Sequence, residues 1–280
     1  MESTGERFIP EQDEGPIKAE HLSRYLLACQ LLNIDDKTVL DIACGTGYGT
    51  ALLAQHARHA YGVDIAQEAV DYARAHHQRD NLTYLTGDGC AIPMDDDSVD
   101  IVVSFETIEH LENQTTFFSE IKRVLRADGT LIISSPNKQL YSDTLKTENP
   151  YHVHELYTEE FVELVRSHFS HAVLFGQTPL WGSLLYPVQL QQPPQKAVAD
   201  ITTEDMTPIA SLYNILVASD RPLQLNSQYA SFVYNATDSL QDYLQQYYES
   251  GYRNCRKTPS FRLGHALLHP FAWIKGIFRF

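Results

Sequence analysis

VLDIACGTGYGT, residues 39–50, is the stretch of sequence that decides the fold. Val39 to Cys44 is a short apolar run interrupted only by Asp41, and such a run predicts a buried parallel strand. Three glycines at alternate positions then allow a tight turn and a close approach to a ligand, and Tyr48 to Ala57 has helical character. Thr50 stands where the dinucleotide fingerprint GxGxxG has its third glycine. Asp41 at the strand end would repel a pyrophosphate, so the motif favours a ligand that carries an ammonium and a sulfonium.

An acidic residue also stands at or just after the end of each of the next two predicted strands. Asp64 lies in the strand from His59 to Ile65, 19 residues beyond Gly45, and an acid at that spacing accepts hydrogen bonds from ribose hydroxyls. Asp88 follows the strand from Leu82 to Thr86. Because the carboxyl ends of parallel strands meet at one edge of a sheet, these acids should converge on one crevice.

Further strands continue the pattern. Val99 to Phe105, Thr130 to Ser135 and His171 to Gln177 are predicted strands that alternate with helices, which indicates a doubly wound α/β sheet. A seventh strand is predicted at Gln228 to Asn235, antiparallel at the edge or beside the fifth strand. The segment between the sixth and seventh strands loses the alternation and is predicted to hold one short apolar helix near Ile209 to Ala218.

With these motifs the chain resembles the class I methyltransferases that use S-adenosylmethionine (SAM), which have a seven-stranded Rossmann-like sheet. The resemblance implies that Asp88 accepts a hydrogen from the adenine amino group and that the amide of Gly89 meets the ring. It also implies that the GERFIP segment near the N-terminus covers the cofactor as a lid, with Arg7 near the SAM carboxylate. The predicted cofactor-binding residues are therefore Arg7, Asp41, Ala43, Gly45, Gly47, Tyr48, Asp64, Ile65, Asp88, Gly89, Phe105 and Glu106.

The chain divides into five predicted parts. They are an N-terminal lid segment and lid helix (1–36), a SAM-binding α/β core (37–177), an insertion that would cover the substrate (178–226), a last strand and helix (227–250) and a basic amphipathic tail (251–280). The tail has no acidic residue and combines aromatic, apolar and cationic side chains, so residues 252–280 could dock on anionic lipid or on a protein partner. A helix packed on the acidic body of its own domain is the alternative.

Composition excludes several classes of protein. The net charge of −15 argues against a general nucleic-acid binder. Four scattered cysteines with no CxxC pair argue against a disulfide framework or a cysteine zinc site and suit a reducing cytosol. The polar, acidic start does not look like a signal peptide. The sequence has no run of about 18 apolar residues, so no membrane-spanning helix is expected. A cytoplasmic protein, peripheral to the inner membrane face if the tail binds lipid, is expected.

Candidate catalytic residues are His110, His152, His154 and Glu109, because a histidine is the natural base for an acceptor hydroxyl. Only one of His152 and His154 is expected to face the site, since alternate residues of an extended stretch point opposite ways.

The string Glu106-x-x-Glu109-His110 is predicted to place two acids and a histidine on one helical turn just past the fourth strand. It resembles the ExxEH element of RNA 3′-end 2′-O-methyltransferases and ubiquinone-pathway O-methyltransferases, where it holds a divalent cation. With His152 these residues could bind Mg, Mn or Zn. The favoured interpretation is that Glu109 and His110 line the cofactor cleft without a metal.

The strings SFETIEHL, IISSPNK and NPYHVHELYTEEF resemble methyltransferases of bacterial O-antigen and capsule gene clusters. This resemblance implies O-methylation of a sugar or polysaccharide hydroxyl, with a small-molecule or glycan acceptor and no nucleic-acid partner. The alternatives are a metal-assisted O-methyltransferase of a catechol-like or quinone-precursor substrate and a non-catalytic subunit that anchors a partner through its tail. An NAD-dependent oxidoreductase is disfavoured by Asp41 and the missing third glycine.

Overall fold

The structure is a computed structural model, and it describes residues 16–147, 149–179, 183–187, 211–226 and 232–234. Arg7 with its lid segment, the helix after the last predicted strand, and the basic tail lie outside the described residues.

One sheet organises the described chain. Its strands are β1 (Thr38–Ile42), β2 (His59–Asp64), β3 (Leu82–Thr86), β4 (Val99–Ser104), β5 (Leu125–Pro136), β6 (His171–Pro179), β7 (Ser183–Pro187), β8 (Tyr213–Ser219) and β9 (Phe232–Tyr234). The helices are α1 (Pro16–Leu31), α2 (Tyr48–Leu53), α3 (Gln67–His76), α4 (Gln114–Val124) and α5 (Thr158–His168). Among the described residues, no helix is both long and apolar enough to cross a bilayer.

The strand order is β3-β2-β1-β4-β5-β8-β6-β7-β9. The first five strands in this order pair in parallel, which brings the carboxyl ends of β1, β2 and β4 side by side. β8 runs antiparallel between β5 and β6. The predicted doubly wound seven-stranded core is therefore confirmed, and β7 and β9 extend it at one edge.

The helix predicted near Ile209 to Ala218 is wrong, because Tyr213–Ser219 forms β8 in the middle of the sheet. Ile215 and Val217 pack into the hydrophobic cluster on one face of the sheet, while Leu216 and Ala218 pack into the cluster on the other. A strand buried on both faces has no polar alternation, so its apolar run cannot be told from a short buried helix by periodicity. The strand that pairs with β5 thus lies inside the predicted insertion (178–226). The strand predicted at Gln228 to Asn235 is present in part, as β9, which pairs with β7 at the edge of the sheet.

Helices cover both faces of the sheet. α1 and α2 pack on one face through Leu27 and Leu53, and α4 and α5 pack on the other through Phe117 and Phe161, all four fully buried. Large apolar side chains on both faces make the sheet a rigid layer, with loops at the carboxyl ends of its strands free to build a site.

Candidate functional site

The glycine loop after β1 is held in a conformation that needs glycine. Gly45 and Gly47 have φ values of 54° and 79°, in the left-handed region. A Cβ on Gly47 would lie 2.6 Å from the Cβ of Ala73 and 2.7 Å from the ring of Tyr84, whose hydroxyl donates to the Gly47 carbonyl at 2.7 Å. Ala73 and Tyr84 therefore pack closely against the glycine loop and leave no space for a side chain at position 47.

Asp41 lies beneath this loop rather than in a cavity wall. Its carboxyl is fully buried and accepts hydrogen bonds from Thr50 Oγ1 at 2.6 Å and from the Tyr25 hydroxyl at 3.2 and 3.3 Å. Burial raises the pKa of Asp41 to about 7, although the hydrogen bonds from Thr50 and Tyr25 pull it down. In the structure Asp41 thus ties the start of α2 to α1.

Asp64 at the end of β2 holds the loop from the side. One of its oxygens accepts from the Gly45 amide at 2.8 Å, and the other accepts from the Ala66 amide at 2.9 Å. The next residue, Ile65, is 72% exposed. An exposed apolar side chain beside a buried acid offers a platform for a flat ring with attached hydroxyls.

A cavity of about 360 Å³ opens at the carboxyl ends of β1, β2 and β4. It is lined by residues of α1, the glycine loop, and the segments that follow β2, β4 and β5: His21, Arg24, Tyr25, Ala43, Cys44, Gly45, Thr46, Tyr48, Asp64, Ile65, Phe105, Glu106, His110 and Tyr151. Eight predicted site residues are in this lining: Ala43, Gly45, Tyr48, Asp64, Ile65, Phe105, Glu106 and His110. Asp88 and Gly89 follow β3 outside the lining, and the exposed Asp88 accepts a hydrogen bond from the Cys90 amide.

The contribution of α1 to the cavity was missed by sequence reasoning. Arg24 is only 1% exposed; its Nε donates to Gln177 Oε1 at 2.7 Å, and its guanidinium lies 4.4 Å from the Tyr213 ring centroid. His21 Nδ1 lies 2.9 Å from the Tyr48 hydroxyl, and burial lowers the pKa of His21 to about 3, so this ring is neutral. The available signal was the spacing of positions 21, 24 and 25, which share one helical face.

Glu106 follows β4 with a φ of 50°, which is rare for a residue other than glycine. Its Oε1 accepts from Ser134 Oγ at 2.6 Å and lies 3.8 Å from Arg24 Nη2. The left-handed turn separates Glu106 from the short 3₁₀ helix Ile108–His110 that follows. The expected single helical turn carrying both acids and the histidine is therefore wrong.

A second cluster, formed by Glu109, His110 and His152, reaches the cavity through His110. Glu109 is 1% exposed, and in the described part of the chain neither of its carboxyl oxygens has a hydrogen-bond partner. His110 Nε2 lies 3.9 Å from Glu109 Oε1, and the His110 and His152 ring centroids are 5.0 Å apart. One candidate ligand atom from each of Glu109, His110 and His152 lies within 4.8 Å of the others. Burial, followed by the neighbouring Glu106, raises the pKa of Glu109 well above its usual range.

Hydrogen bonds orient both rings of this cluster. His110 Nδ1 lies 3.0 Å from the Tyr151 carbonyl, and His152 Nδ1 lies 2.5 Å from Glu155 Oε1. Each Nδ1 therefore carries the proton that it donates, and the Nε2 of His152 accepts a hydrogen bond from Asn149 Nδ2 at 2.9 Å. His154 is exposed, and its backbone amide donates to the Glu109 carbonyl at 2.9 Å. The structure thus groups His152 with Glu109 and His110 and leaves His154 apart.

Comparison with known proteins relates this geometry to methyltransferases. Residues 40–133 match the family model described as a methyltransferase domain. A solved structure from Thermotoga maritima, titled a SAM-dependent methyltransferase and possible histamine N-methyltransferase, has a TM-score of 0.53 at 18% identity and covers 74% of this chain and 91% of that one. At this identity the likeness shows the fold, which confirms the predicted Rossmann-like fold of class I methyltransferases.

Two curated relatives are similar in sequence. A probable SAM-dependent methyltransferase of Mycolicibacterium smegmatis is 37% identical over 167 residues, which cover 59% of this chain and 63% of the relative. The phthiotriol/phenolphthiotriol dimycocerosates methyltransferase of Mycobacterium leprae is 29% identical over 123 residues, 43% of this chain and 45% of the relative. The chain spans less than two thirds of the length of either relative.

Proposed function

We propose that this chain is a SAM-dependent methyltransferase that methylates a hydroxyl oxygen, with a sugar or polysaccharide as the acceptor. One observation carries the proposal: a glycine loop with left-handed turns, an acid at the end of β2 and an exposed apolar side chain line one cavity with a histidine. The methyltransferase-domain match and the similarity to SAM-dependent methyltransferases support the same activity.

The cofactor would lie across the glycine loop, with its ribose at Asp64 and its adenine at Ile65. In the reaction the acceptor oxygen attacks the methyl carbon while the carbon–sulfur bond breaks. The electron pair of that bond stays on sulfur and gives S-adenosylhomocysteine. The protein has to align these atoms and accept the hydroxyl proton.

Among the predicted candidates we propose His110 as the base, because it lies in the cavity lining and the Tyr151 carbonyl orients its ring. Its Nδ1–H is held by the Tyr151 carbonyl, so the hydroxyl proton would pass to Nε2. Glu109 Oε1 lies 3.9 Å from this Nε2.

The acceptor assignment rests on the resemblance of SFETIEHL, IISSPNK and NPYHVHELYTEEF to methyltransferases of O-antigen and capsule clusters. A cavity that ends in polar and aromatic side chains, His110 and the 53% exposed Tyr151, supports an acceptor that is a small polyhydroxylated molecule. The basic tail is proposed to hold the protein at an anionic membrane or on a partner, so deletion of residues 252–280 should leave soluble turnover intact.

The test is transfer of labelled methyl from SAM to sugars, nucleotide sugars, catechols and a phthiotriol-type acceptor. His110→Asn should lower kcat by about 10²- to 10⁴-fold on the acceptor that works. His154→Asn is the matched control and should keep the wild-type rate, because His154 is exposed and outside the cavity lining. Equal loss in both variants, or full activity of His110→Asn, would contradict the proposed base.

A metal-assisted reaction is the second candidate, and one specific observation favours it. Glu109 presents two buried oxygens that lack hydrogen-bond partners in the described chain, and His110 and His152 each donate Nδ1–H to an oxygen acceptor. A carboxylate with two oriented imidazoles fits a divalent transition metal such as Mn or Zn better than Mg. When bound, such an ion would polarise the acceptor oxygen and lower the pKa of its hydroxyl.

The three residues that would hold the ion are Glu109, His110 and His152, whereas Glu106 lies with Arg24 and Ser134 instead. Turnover lost in EDTA and restored by Mn or Zn would favour this candidate. Calorimetric metal binding should then disappear in His152→Asn and persist in His154→Asn. Turnover that survives EDTA would leave the metal-free reaction as the proposal.

A further inference from the structure

We propose that Tyr151 selects the acceptor, because its ring forms a platform for the apolar face of a sugar ring beside the proposed base His110. This inference rests on the proposed function. It adds a specificity-determining residue from the segment between β5 and α5, a part of the chain for which the family-model match (residues 40–133) gives no assignment.

A β-turn presents Tyr151 at the rim of the cavity. The amide of His152 donates to the carbonyl of Asn149 at 3.2 Å, which closes a turn with Tyr151 at its third position. Asparagine at the first position and Pro150 at the second favour such a turn. The Tyr151 amide also donates to Asn149 Oδ1 at 3.0 Å. The turn thus has a local cause in the sequence, and it leaves the tyrosine 53% exposed in the cavity lining.

The inner side of this turn is anchored by His152, whose side chain is 7% exposed. Its Nδ1 lies 2.5 Å from Glu155 Oε1, and its Nε2 lies 2.9 Å from Asn149 Nδ2. The other carboxyl oxygen of Glu155 accepts from the Ser142 hydroxyl. With both ring nitrogens of His152 engaged, the turn has little freedom to lose when a ligand packs on Tyr151.

The same turn is joined to the proposed base. His110 Nδ1 lies 3.0 Å from the Tyr151 carbonyl, and the rings of His110 and His152 meet edge-on with centroids 5.0 Å apart. The carbonyl that orients the base and the ring that would hold the acceptor therefore belong to one residue. An acceptor packed on that ring is held in a fixed relation to His110, which is what alignment for methyl transfer requires.

The two exposed apolar platforms of the cavity divide the ligands between them. Among the exposed large hydrophobic side chains of the described chain, Ile65 and Tyr151 are those that line the cavity. Ile65 follows β2 and Tyr151 is tied to His110 after β4, and β1 with its glycine loop lies between these two strands. With the adenine proposed at Ile65, the aromatic platform at the other end is left for the acceptor.

An aromatic platform suits a sugar ring better than an open-chain polyol. The face of a tyrosine ring is apolar and carries the negative part of its quadrupole, so it attracts the weakly positive C–H groups on a flat ligand. A pyranose presents such C–H groups on its ring faces and its hydroxyls at the edge, where one of them can reach the base. An open-chain polyol has the hydroxyls without a rigid face.

Methyl transfer to the methyl glycosides of glucose, mannose and galactose, with glucitol as the open-chain comparison, tests the inference. Wild type should have a KM for the accepted glycoside at least about 10-fold below that for glucitol, and Tyr151→Ala should raise the glycoside KM about 10-fold and lose this preference. The kcat of Tyr151→Ala should stay within about 2-fold, because the backbone carbonyl that orients His110 remains. Tyr151→Phe keeps the ring and should retain the wild-type KM.

Leu145→Ala is the matched control, because Leu145 is 57% exposed in the same segment but outside the cavity lining, and it should keep the wild-type KM. An unchanged glycoside KM in Tyr151→Ala would overturn the inference. An equal rise in Tyr151→Phe would also overturn it, by assigning the contact to the hydroxyl. A raised KM for SAM with an unchanged acceptor KM would overturn it by placing Tyr151 in the cofactor site.

A binding measurement separates the inference from the proposed function. In saturation-transfer NMR of the glycosides with the protein and S-adenosylhomocysteine, the C–H protons of one ring face should receive saturation in wild type and lose it in Tyr151→Ala. The same saturation pattern in both proteins would overturn the inference. A wild type that neither methylates nor binds any of the glycosides would refute the proposed sugar acceptor itself.

Discussion

Replacing Asp41 with Asn should remove a large pH dependence from the stability of this protein. Asp41 is fully buried under the glycine loop, and burial raises the pKa of its carboxyl from 3.8 to about 7 in the folded state. Between these two values the folded chain binds a proton that the unfolded chain has released. The contribution of Asp41 to the free energy of unfolding is therefore fully present below its pKa in the unfolded chain. It is lost as the pH rises through its pKa in the folded protein.

The magnitude follows from the shift. A shift of about 3 pKa units corresponds to about 4 kcal/mol of unfolding free energy between pH 4 and pH 8. About 2 kcal/mol of this should remain between pH 5.5 and pH 8, a range in which a chain of net charge −15 stays clearly acidic. The carboxyl is fully buried, so solvent should screen it little.

The assay is urea unfolding of wild type and Asp41→Asn at several pH values, followed by circular dichroism. The stability difference between the two proteins should move by about 2 kcal/mol in favour of Asp41→Asn as pH rises from 5.5 to 8. Thr50→Val serves as a control, because losing the 2.6 Å hydrogen bond should raise the Asp41 pKa and shift the same transition to higher pH. A difference that stays constant within 0.5 kcal/mol, which is about the error of such measurements, would refute a buried, proton-binding Asp41.

Three further predictions concern the loop and the sheet. Gly47→Ala should destabilise the protein by at least about 1–2 kcal/mol in urea unfolding, because of its φ of 79° and the 2.6 Å approach to Ala73; wild-type stability would contradict the loop geometry. Asp64→Asn should lose one of its two hydrogen bonds from backbone amides, and its affinity for S-adenosylhomocysteine, measured by calorimetry, should fall about 10-fold. Unchanged affinity would place the ribose elsewhere. Leu216→Ala should cost about 2–5 kcal/mol in thermal or urea unfolding, whereas Leu145→Ala, at a 57% exposed site, should cost under about 0.5 kcal/mol; equal costs would contradict a buried β8.

Much of the cavity around the glycine loop could be predicted because its signals are local. The turn after β1 needs glycine at particular positions, and the acid after β2 follows it at a regular spacing, so the sequence is enough to identify Gly45 and Asp64. The strands β1 to β6 are predictable for the same reason, since apolar runs between turn residues record burial directly.

The arrangement of Glu106, Glu109, His110 and His152 could not be predicted to the same extent. The string ExxEH suggested one helical turn, but the left-handed φ of Glu106 sends that carboxyl to Ser134 and leaves Glu109 with His110. Which of the alternate histidines enters the cluster also depended on Glu155, whose carboxylate holds His152. Neither a strained backbone nor a hydrogen-bond partner elsewhere in a loop can be recognised from the identity of a single residue.

The sequence by itself determined the order of strands and helices through β6, the glycine turn and the acids at the strand ends, because each depends on neighbours a few residues away. Only the tertiary structure decided that Tyr213–Ser219 is the strand between β5 and β6, that Asp41 is a support of the loop, and that Arg24 is a buried cation in the cavity wall. Arg24 and its partner Gln177 are 153 residues apart in the chain. Their environment is created by packing between distant segments, and the same arginine on an isolated helix would simply be solvated.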